Sequence, residues 1–258
     1  MIDYPLIRLG FYQSVSIAKK NPVNFWVSAL VNFIYGVTQG IFWWALSQHS
    51  QFLGFMSQHY LLVFFVTVVC VDNLYMMLFG QSSMELQRRV HNMKLDTHLL
   101  LPVHLPFFYV ATSISLQHAM LTSAALLSFI VLHITLTTPL WLALVHLLVI
   151  VEGSIVLAAI SWIYRSSIFW TNALVAMRHS NPSFKVMIRP LDAFDGVARL
   201  IFLFLIPCLF ITGVPAWLVG KQFDWTWFAA QNVVVCLLVC LANHIFIIGT
   251  RRYGRVTT

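Results

Sequence analysis

Charge is what this chain has least of. Of 258 residues only 8 are acidic and 15 are Lys or Arg, 9% charged in all against 60% hydrophobic. Soluble domains carry roughly a quarter charged residues, and a mean hydropathy of +0.83 leaves too little polar surface to face water. The composition excludes a soluble globule and points to an integral membrane protein. Paired cysteine motifs are also missing: Cys70, Cys208, Cys236 and Cys240 lie in apolar stretches without a C-x-x-C, so they read as packing thiols rather than redox or metal groups. No cleavable signal peptide is expected, because the first apolar run follows Asn21-Pro22 and outruns an h-region of roughly 7 to 15 residues; it reads as a retained anchor.

The signatures of on-chain chemistry are missing too. A phosphate-binding loop needs G-x-x-x-x-G-K-[ST] so that backbone amides and a lysine cradle the phosphates; Gly220-Lys221-Gln222 lacks the upstream glycine and the hydroxyl residue. G-x-S-x-G, H-E-x-x-H and paired H-x-x-x-H boxes do not occur, which removes the common hydrolase and membrane metalloenzyme patterns. The ten histidines are scattered, with His91 and His98 two turns apart and unable to share an ion without further ligands. The chain is therefore expected to be no enzyme and to hold no metal or cofactor of its own. Its excess of +7 at pH 7 is interleaved between apolar runs, so anionic lipid headgroups suit it better than nucleic acid.

What is present is six apolar stretches, each near the 20 residues a helix needs to cross roughly 30 Å of hydrocarbon: 25–46, 60–80, 107–131, 140–163, 200–218 and 227–248. Barrel-like alternation is absent, and an isolated run in lipid must satisfy its own backbone, so the fold class is an all-α integral membrane protein with six transmembrane helices in one domain, 1–258. One assignment puts fourteen of the fifteen basic residues on a single side, leaving only Lys221 opposite. By the positive-inside bias that side is cytoplasmic and holds both termini.

Three cytoplasmic segments carry patterns of their own. Residues 1–22 place Ile7, Phe11, Val15 and Ala18 at helical spacing beside Arg8, Lys19 and Lys20, which fits an amphipathic interfacial helix, the alternative being a frayed basic tail. In 82–100, Ser82 and Glu85 form a capping-box pair, Leu86, Val90, Met93 and Thr97 make an apolar stripe, and Glu85 precedes Arg89 at the favourable i, i+4 spacing. That segment reads as a surface helix, either a solvated connector or a docking element. The loop 165–199 contains a second interfacial helix, Ser166 to Met177, then Asn181-Pro182 and a polar stretch ending at Gly196.

Two further features sit inside the spans. Pro207, Gly213, Pro215 and Gly220 interrupt the end of the fifth stretch, predicting a broken or re-entrant segment before the sixth, with an ordinary proline kink as the alternative. Asp72 and Glu152 are the formally charged residues deep in the spans. Such groups must face protein or water, so they either line a translocation path or hydrogen-bond between helices.

Several short motifs resemble one family. Arg88-Arg89, then Met93-Lys94-Leu95-Asp96, then Leu99-Leu100-Leu101-Pro102-Val103 is similar to the basic stretch, Gly-x-Leu-Asp and Leu-rich Arg-Pro-Leu/Val run of the six-span permease subunits of type-2 ATP-binding-cassette (ABC) exporters. Met93 stands for the family's Gly and Leu101 for its Arg. Ile168-Phe169-Trp170 resembles the Phe-Trp after span four, and Leu205-Ile206-Pro207, Val214-Pro215-Ala216 and Gly220 resemble the Ile-Pro, Pro-Ala and Gly stretch. The resemblance covers nearly the whole chain. It implies a bacterial inner-membrane permease in which the helix Ser82 to Leu99 is a coupling helix docking on a separate ATPase through Glu85, Arg88, Arg89, Lys94 and Asp96. ATP and Mg would be bound by that ATPase, present in two copies beside a second permease chain. The rival readings are a stand-alone secondary transporter or channel using Asp72 or Glu152, and a lipid-acting membrane enzyme. The topology makes one direct prediction: a cysteine introduced at Ser50 reacts with an impermeant thiol reagent added outside, and labelling only from the cytoplasm overturns the assignment.

Overall fold

A computed structural model describes residues 4–48, 57–101, 103–170 and 189–256. It begins with two helices, α1 (Tyr4–Lys20) and α2 (Pro22–Gln48), joined where Pro22 takes the first helical position, the one place its missing N–H costs nothing. α3 (Gln58–Leu78) follows, with Ser57 accepting from the Tyr60 amide at its start. Then come α4 (Gly80–His91), α5 (Asp96–Leu99), α6 (Leu105–Thr112), α7 (Leu116–Thr135) and α8 (Leu140–Ser166). The last part holds α9 (Gly196–Leu200), α10 (Gly213–Gly220) and the long α11 (Trp225–Val256). Among the described residues five helices are long and apolar enough to cross a membrane: 22–45 in α2, α3, α7, 140–169 starting in α8, and 225–253 in α11.

Four of the expected spans fall inside those helices, and two differ. The crossing expected over 107–131 is two helices: α6 stops at Thr112, Ser113 to Ser115 are non-helical, and Ser115 receives the His118 amide at 3.5 Å to start α7. Serine favours this because its hydroxyl replaces a missing backbone partner at a helix start. The stretch expected over 200–218 is no single helix. α9 runs into a wide π turn at Ile201–Leu205, Pro207 ends it, and a tight turn at Cys208–Phe210 leads into α10. This is the interrupted segment anticipated before the last span, centred on Ile206 to Thr212.

α3 is the core of the bundle. Tyr60, Val63, Phe64 and Val71 are fully buried, and the helix packs on α2, α7, α8 and α10. α8 meets it through polar pins as well as apolar ones. Tyr75 Oη donates to Ser161 Oγ at 3.0 Å. Thr67 Oγ1 donates to the Val63 carbonyl at 2.7 Å and so accepts from His146 Nε2 at 2.8 Å. That assigns His146 Nδ1 as the acceptor for His133 Nε2 at 2.9 Å, while His133 Nδ1 faces Thr138 Oγ1 at 2.6 Å. One continuous chain of hydrogen bonds thus ties α7, α8 and α3, with every ring neutral and satisfied.

The interrupted segment is packed backbone to backbone on α8. A Cβ added to Gly153 would sit 2.1 Å from the Ile211 carbonyl oxygen, so only glycine permits the approach. Gln231 Nε2 of α11 donates to the neighbouring Phe210 carbonyl at 3.0 Å, capping backbone that lipid would leave unsatisfied.

Three sequence expectations are corrected here, and the place of α1 is added. Ser82 is no cap: α4 starts at Gly80, and Ser82 lies buried in its first turn with Oγ donating to the Phe79 carbonyl at 2.7 Å. The helix expected over 82–100 ends at His91 and is followed by a turn and the short α5. α1 is a helix as expected, but it rests on α6 through Gly10 and Ser14, whose hydroxyl donates to the Ile114 carbonyl, while Phe11 of the expected stripe is 49% exposed; small residues let the two backbones approach, and the large apolar ones are left for lipid.

The third correction concerns 165–199. Lys221 Nζ lies 2.7 Å from Asp192 Oδ2 and 5.2 Å from the Tyr60 ring centre, and Leu191 packs beside Gly213. Tyr60 begins α3, whereas α4 follows its last turn, about 30 Å away for a helix of that length. The described end of the loop therefore sits at the Lys221 end of the bundle, opposite α4, and Asp192 with it. Arg199, within electrostatic range of Tyr60, joins them and leaves the one-sided charge count. The expected helix Ser166 to Met177 lies mostly outside the described residues; its described part is Ser166, the last residue of α8, a tight turn at Ser167–Phe169, and Trp170.

Two glycines give a paired test of this packing. Gly153→Ala forces the α8 backbone from Ile211 and is expected to lower the thermal midpoint in detergent by the equivalent of about 1 to 3 kcal/mol. Gly36→Ala, with nothing within 4 Å of the added Cβ, is expected to hold or raise it, since glycine costs a helix about 1 kcal/mol relative to alanine. Equal effects at the two positions refute the close approach.

Candidate functional site

α4 has one locked face and one free face. Leu86 is fully buried and Val90 8% exposed, Ser82, Ser83 and Gln87 are buried with them, and Arg165 of α8 donates from Nη1 to Gln87 Oε1. This face lies on α6 and α8. The other carries the charge. Arg89 Nε donates to Glu85 Oε1 at 2.7 Å, and Arg88 also pairs with Glu85, the i, i+4 and i, i+3 neighbours that a helix brings together. Arg88 is the most open of the three, its side chain 67% exposed against 34% for Arg89.

The end of α4 explains a departure seen in the sequence. Lys94 N–H reaches back to the Arg89 carbonyl at 2.9 Å and Met93 N–H to Val90 at 3.2 Å, the paired bonds that close a helix through one left-handed residue. That residue is Met93, at φ +52°, a conformation that costs a side-chain-bearing residue roughly 1 to 2 kcal/mol and glycine almost nothing. Met93 stands where the similar permease motif has glycine, the residue that a left-handed turn favours. Beyond it Leu95 is fully buried, so the chain re-enters the protein at once, leaving Met93 64% exposed.

The five expected contact residues therefore divide into two groups. Glu85, Arg88 and Arg89 share the α4 face, while Lys94 and Asp96 lie exposed on the turn and α5. All five stand at the same end of the bundle. Asp72 and Glu152 stand elsewhere, on α3 and α8. Their sequence neighbours Val71 and Gly153 adjoin, so the two carboxyls flank one helix contact. Glu152 is 7% exposed, with no hydrogen-bond partner for Oε2 among the described residues, and Asp72 is half-buried.

Sequence reasoning missed a cavity of about 810 Å³ between α1, α4, α6 and the gap before α7. Glu85, Arg88 and Arg89 form part of its wall, with His98 and Tyr109, whose rings stack at 5.5 Å. Burial, helped by the Arg89 charge, holds His98 below its ordinary pKa, so it is neutral at pH 7. The sequence signal was faint: Gly10 and Ser14, one turn apart on α1, mark the face that closes the cavity. Among the described residues no group of three or more His, Cys, Asp or Glu could hold a metal ion.

The α-helical architecture, with five helices among the described residues long and apolar enough to cross a membrane, defines a multi-pass membrane protein. The chain belongs to the ABC-2 transporter family: the model for ABC-2 family transporter proteins matches residues 33–255, most of its length. It is accordingly a transmembrane subunit of an ABC transporter in the cell membrane, and the family implies an ATP-binding-cassette partner subunit. No curated protein and no solved structure matches it.

Met93 supplies the prediction for this region. Met93→Gly relieves the left-handed strain at an exposed position with no packing to lose, and is expected to add about 0.5 to 1 kcal/mol of stability, read as a rise of a few degrees in thermal midpoint. Met93→Val is expected to lower it, and the opposite order refutes the turn geometry.

Proposed function

We propose that the chain is the non-catalytic permease subunit of an exporter, driven by ATP hydrolysis on a separate ATPase that carries the ATP and Mg. Two permease chains and two ATPases would form the transporter, with the path at the permease interface. The observation that supports this most is the two-faced α4: its charged face is open, and its opposite face is fastened to α6 and α8. A surface contact on Glu85, Arg88, Lys94 and Asp96 then acts on a lever rather than a loose loop. α4 also continues α3 almost without interruption, the Phe79 N–H bonding the Tyr75 carbonyl at 2.7 Å. A push on α4 is thereby delivered to the helix on which the rest of the bundle packs, as a rigid-body movement. The α4 end is cytoplasmic in this reading.

α2 supports the pairing of two permeases. Over an 18-residue apolar stretch of its span no residue is buried, and Trp26, Phe33, Tyr35 and Trp44 are each more than half exposed, a surface suited to lipid and to a second chain. Asp72 and Glu152 are candidate path residues in this reading. A stand-alone ion-driven transporter is the second reading, favoured by the unpartnered Glu152 carboxyl alone.

Reversing charge at the open positions separates the two. Arg88→Glu with Lys94→Glu is expected to leave insertion and melting nearly unchanged, since exposed charges contribute only tenths of a kcal/mol, while abolishing retention of the ATPase in mild detergent and ATP-driven transport. Undiminished ATPase retention would count against docking at α4. Glu152→Gln that abolishes flux in liposomes lacking any ATPase would establish the second reading.

A further inference from the structure

Two residues that line the 810 Å³ cavity each carry a buried polar atom left unused by the folded chain. Tyr109 is 1% exposed, yet its hydroxyl has no hydrogen-bond partner among the described residues, and neither has Nδ1 of the stacked His98. An unpaired buried polar group costs roughly 1 to 3 kcal/mol, so two in one wall mark a place where an outside group completes the bonding. The charges of Arg89 and, after it, Glu85 reach both rings. Arg88 and Arg89 against the single Glu85 leave that wall net positive. A phenol O–H, a neutral imidazole N–H and a guanidinium are all donors to an anionic oxygen.

The rest of the lining mixes polar residues of α1, α4 and the gap before α7, such as Gln13, Gln81 and Ser113, with an apolar strip made by Leu9 and Ile17 of α1, Phe25 of α2 and Leu116 of α7. α1 turns Phe11 and Tyr12 outward, each about half exposed, as a helix lying against lipid does. The volume exceeds what a phosphate alone fills and matches a larger ligand. A soluble anion would leave the apolar wall in water. We infer that this cavity binds one phosphate-headed lipid from the adjoining leaflet, its phosphate on Tyr109, His98 and Arg89 and its chains on the α1, α2 and α7 wall. Such a lipid joins α1 to α4 across the gap before α7. The site rests on the membrane placement of α1 and not on ATPase docking, whose test uses Arg88 and Lys94.

The test uses the full chain purified in neutral detergent, with phosphatidylglycerol, diacylglycerol of the same chains, and inorganic phosphate as probes. Thermal midpoint and lipid retention in native mass spectrometry are the readouts. Phosphatidylglycerol is expected to be retained about tenfold more tightly than diacylglycerol, equivalent to one charge-assisted hydrogen bond, and to raise the midpoint. Tyr109→Phe removes a hydroxyl that has no partner, so without lipid its midpoint is expected to equal or exceed that of the wild type, while its preference for phosphatidylglycerol falls to within about twofold. Equal retention of the two lipids by the wild type overturns the proposal, as does an undiminished preference in Tyr109→Phe. A lower midpoint for Tyr109→Phe without lipid overturns the premise of an unpaired hydroxyl. Stabilisation by millimolar inorganic phosphate alone, matching that of the lipid, overturns the lipid assignment in favour of a soluble anion.

Discussion

A peptide group inside hydrocarbon has no water to bond, and the organisation of this chain follows from how each departure from helix meets that demand. Continuous helix answers it for α2, α3, α8 and α11. Where the chain breaks, between Ile206 and Thr212, other protein takes over: α8 comes close enough at Gly153 to touch the Ile211 backbone, and Gln231 bonds the Phe210 carbonyl. The break before α7 is handled with hydroxyls, Ser115 for the new helix and Ser14 of α1 for the Ile114 carbonyl. Irregular backbone is tolerated in these two places because a neighbouring helix was supplied with a small or polar residue at the right height.

The same economy explains why α3 lies at the centre. Its four neighbours each meet a different part of it, and the contacts are a mixture of apolar packing and a few fully satisfied polar pins. In hydrocarbon an apolar face has nothing to gain by leaving lipid, so shape fit and buried hydrogen bonds set which helices stay together. Thr67, His133, His146, Tyr75 and Ser161 serve that purpose between α3, α7 and α8. Two histidines that would suggest a titrating or metal site by residue type alone are here consumed by one another and by two threonines.

The apolar runs were legible because bilayer thickness imposes a length that composition alone reveals, and the all-helical class follows from the same cause. The Glu85 to Arg89 pair was legible because helical spacing is local. The interrupted fifth stretch could be read from Pro207 and the glycines, although its centre is decided by what α8 offers at Gly153, a distant residue. The end of α4 was misread because Thr97 and Met93 continue the apolar stripe, while the competing signal, burial of Leu95 after a left-handed turn, depends on packing with the rest of the protein. The side on which Asp192 lies was misread for a related reason: the positive-inside bias counts charges one loop at a time and is blind to an ion pair formed with Lys221. The cavity has little local signature beyond Gly10 and Ser14 of α1, since its wall comes from elements more than a hundred residues apart in the chain at its extremes, such as Leu9 and Leu116.

The Asp192 to Lys221 pair also changes what the intervening stretch is. With its two ends fastened to each other, the chain from 193 to 220 is a closed loop, and both fastening groups lie partly buried, with side chains 17% and 32% exposed. Loop closure restricts the conformations that α9, the broken turn and α10 can sample together, more than it would restrict any of them singly. Movement of one is communicated to the others through a shared knot, so the whole stretch behaves as one mechanical part whose two ends are joined electrostatically.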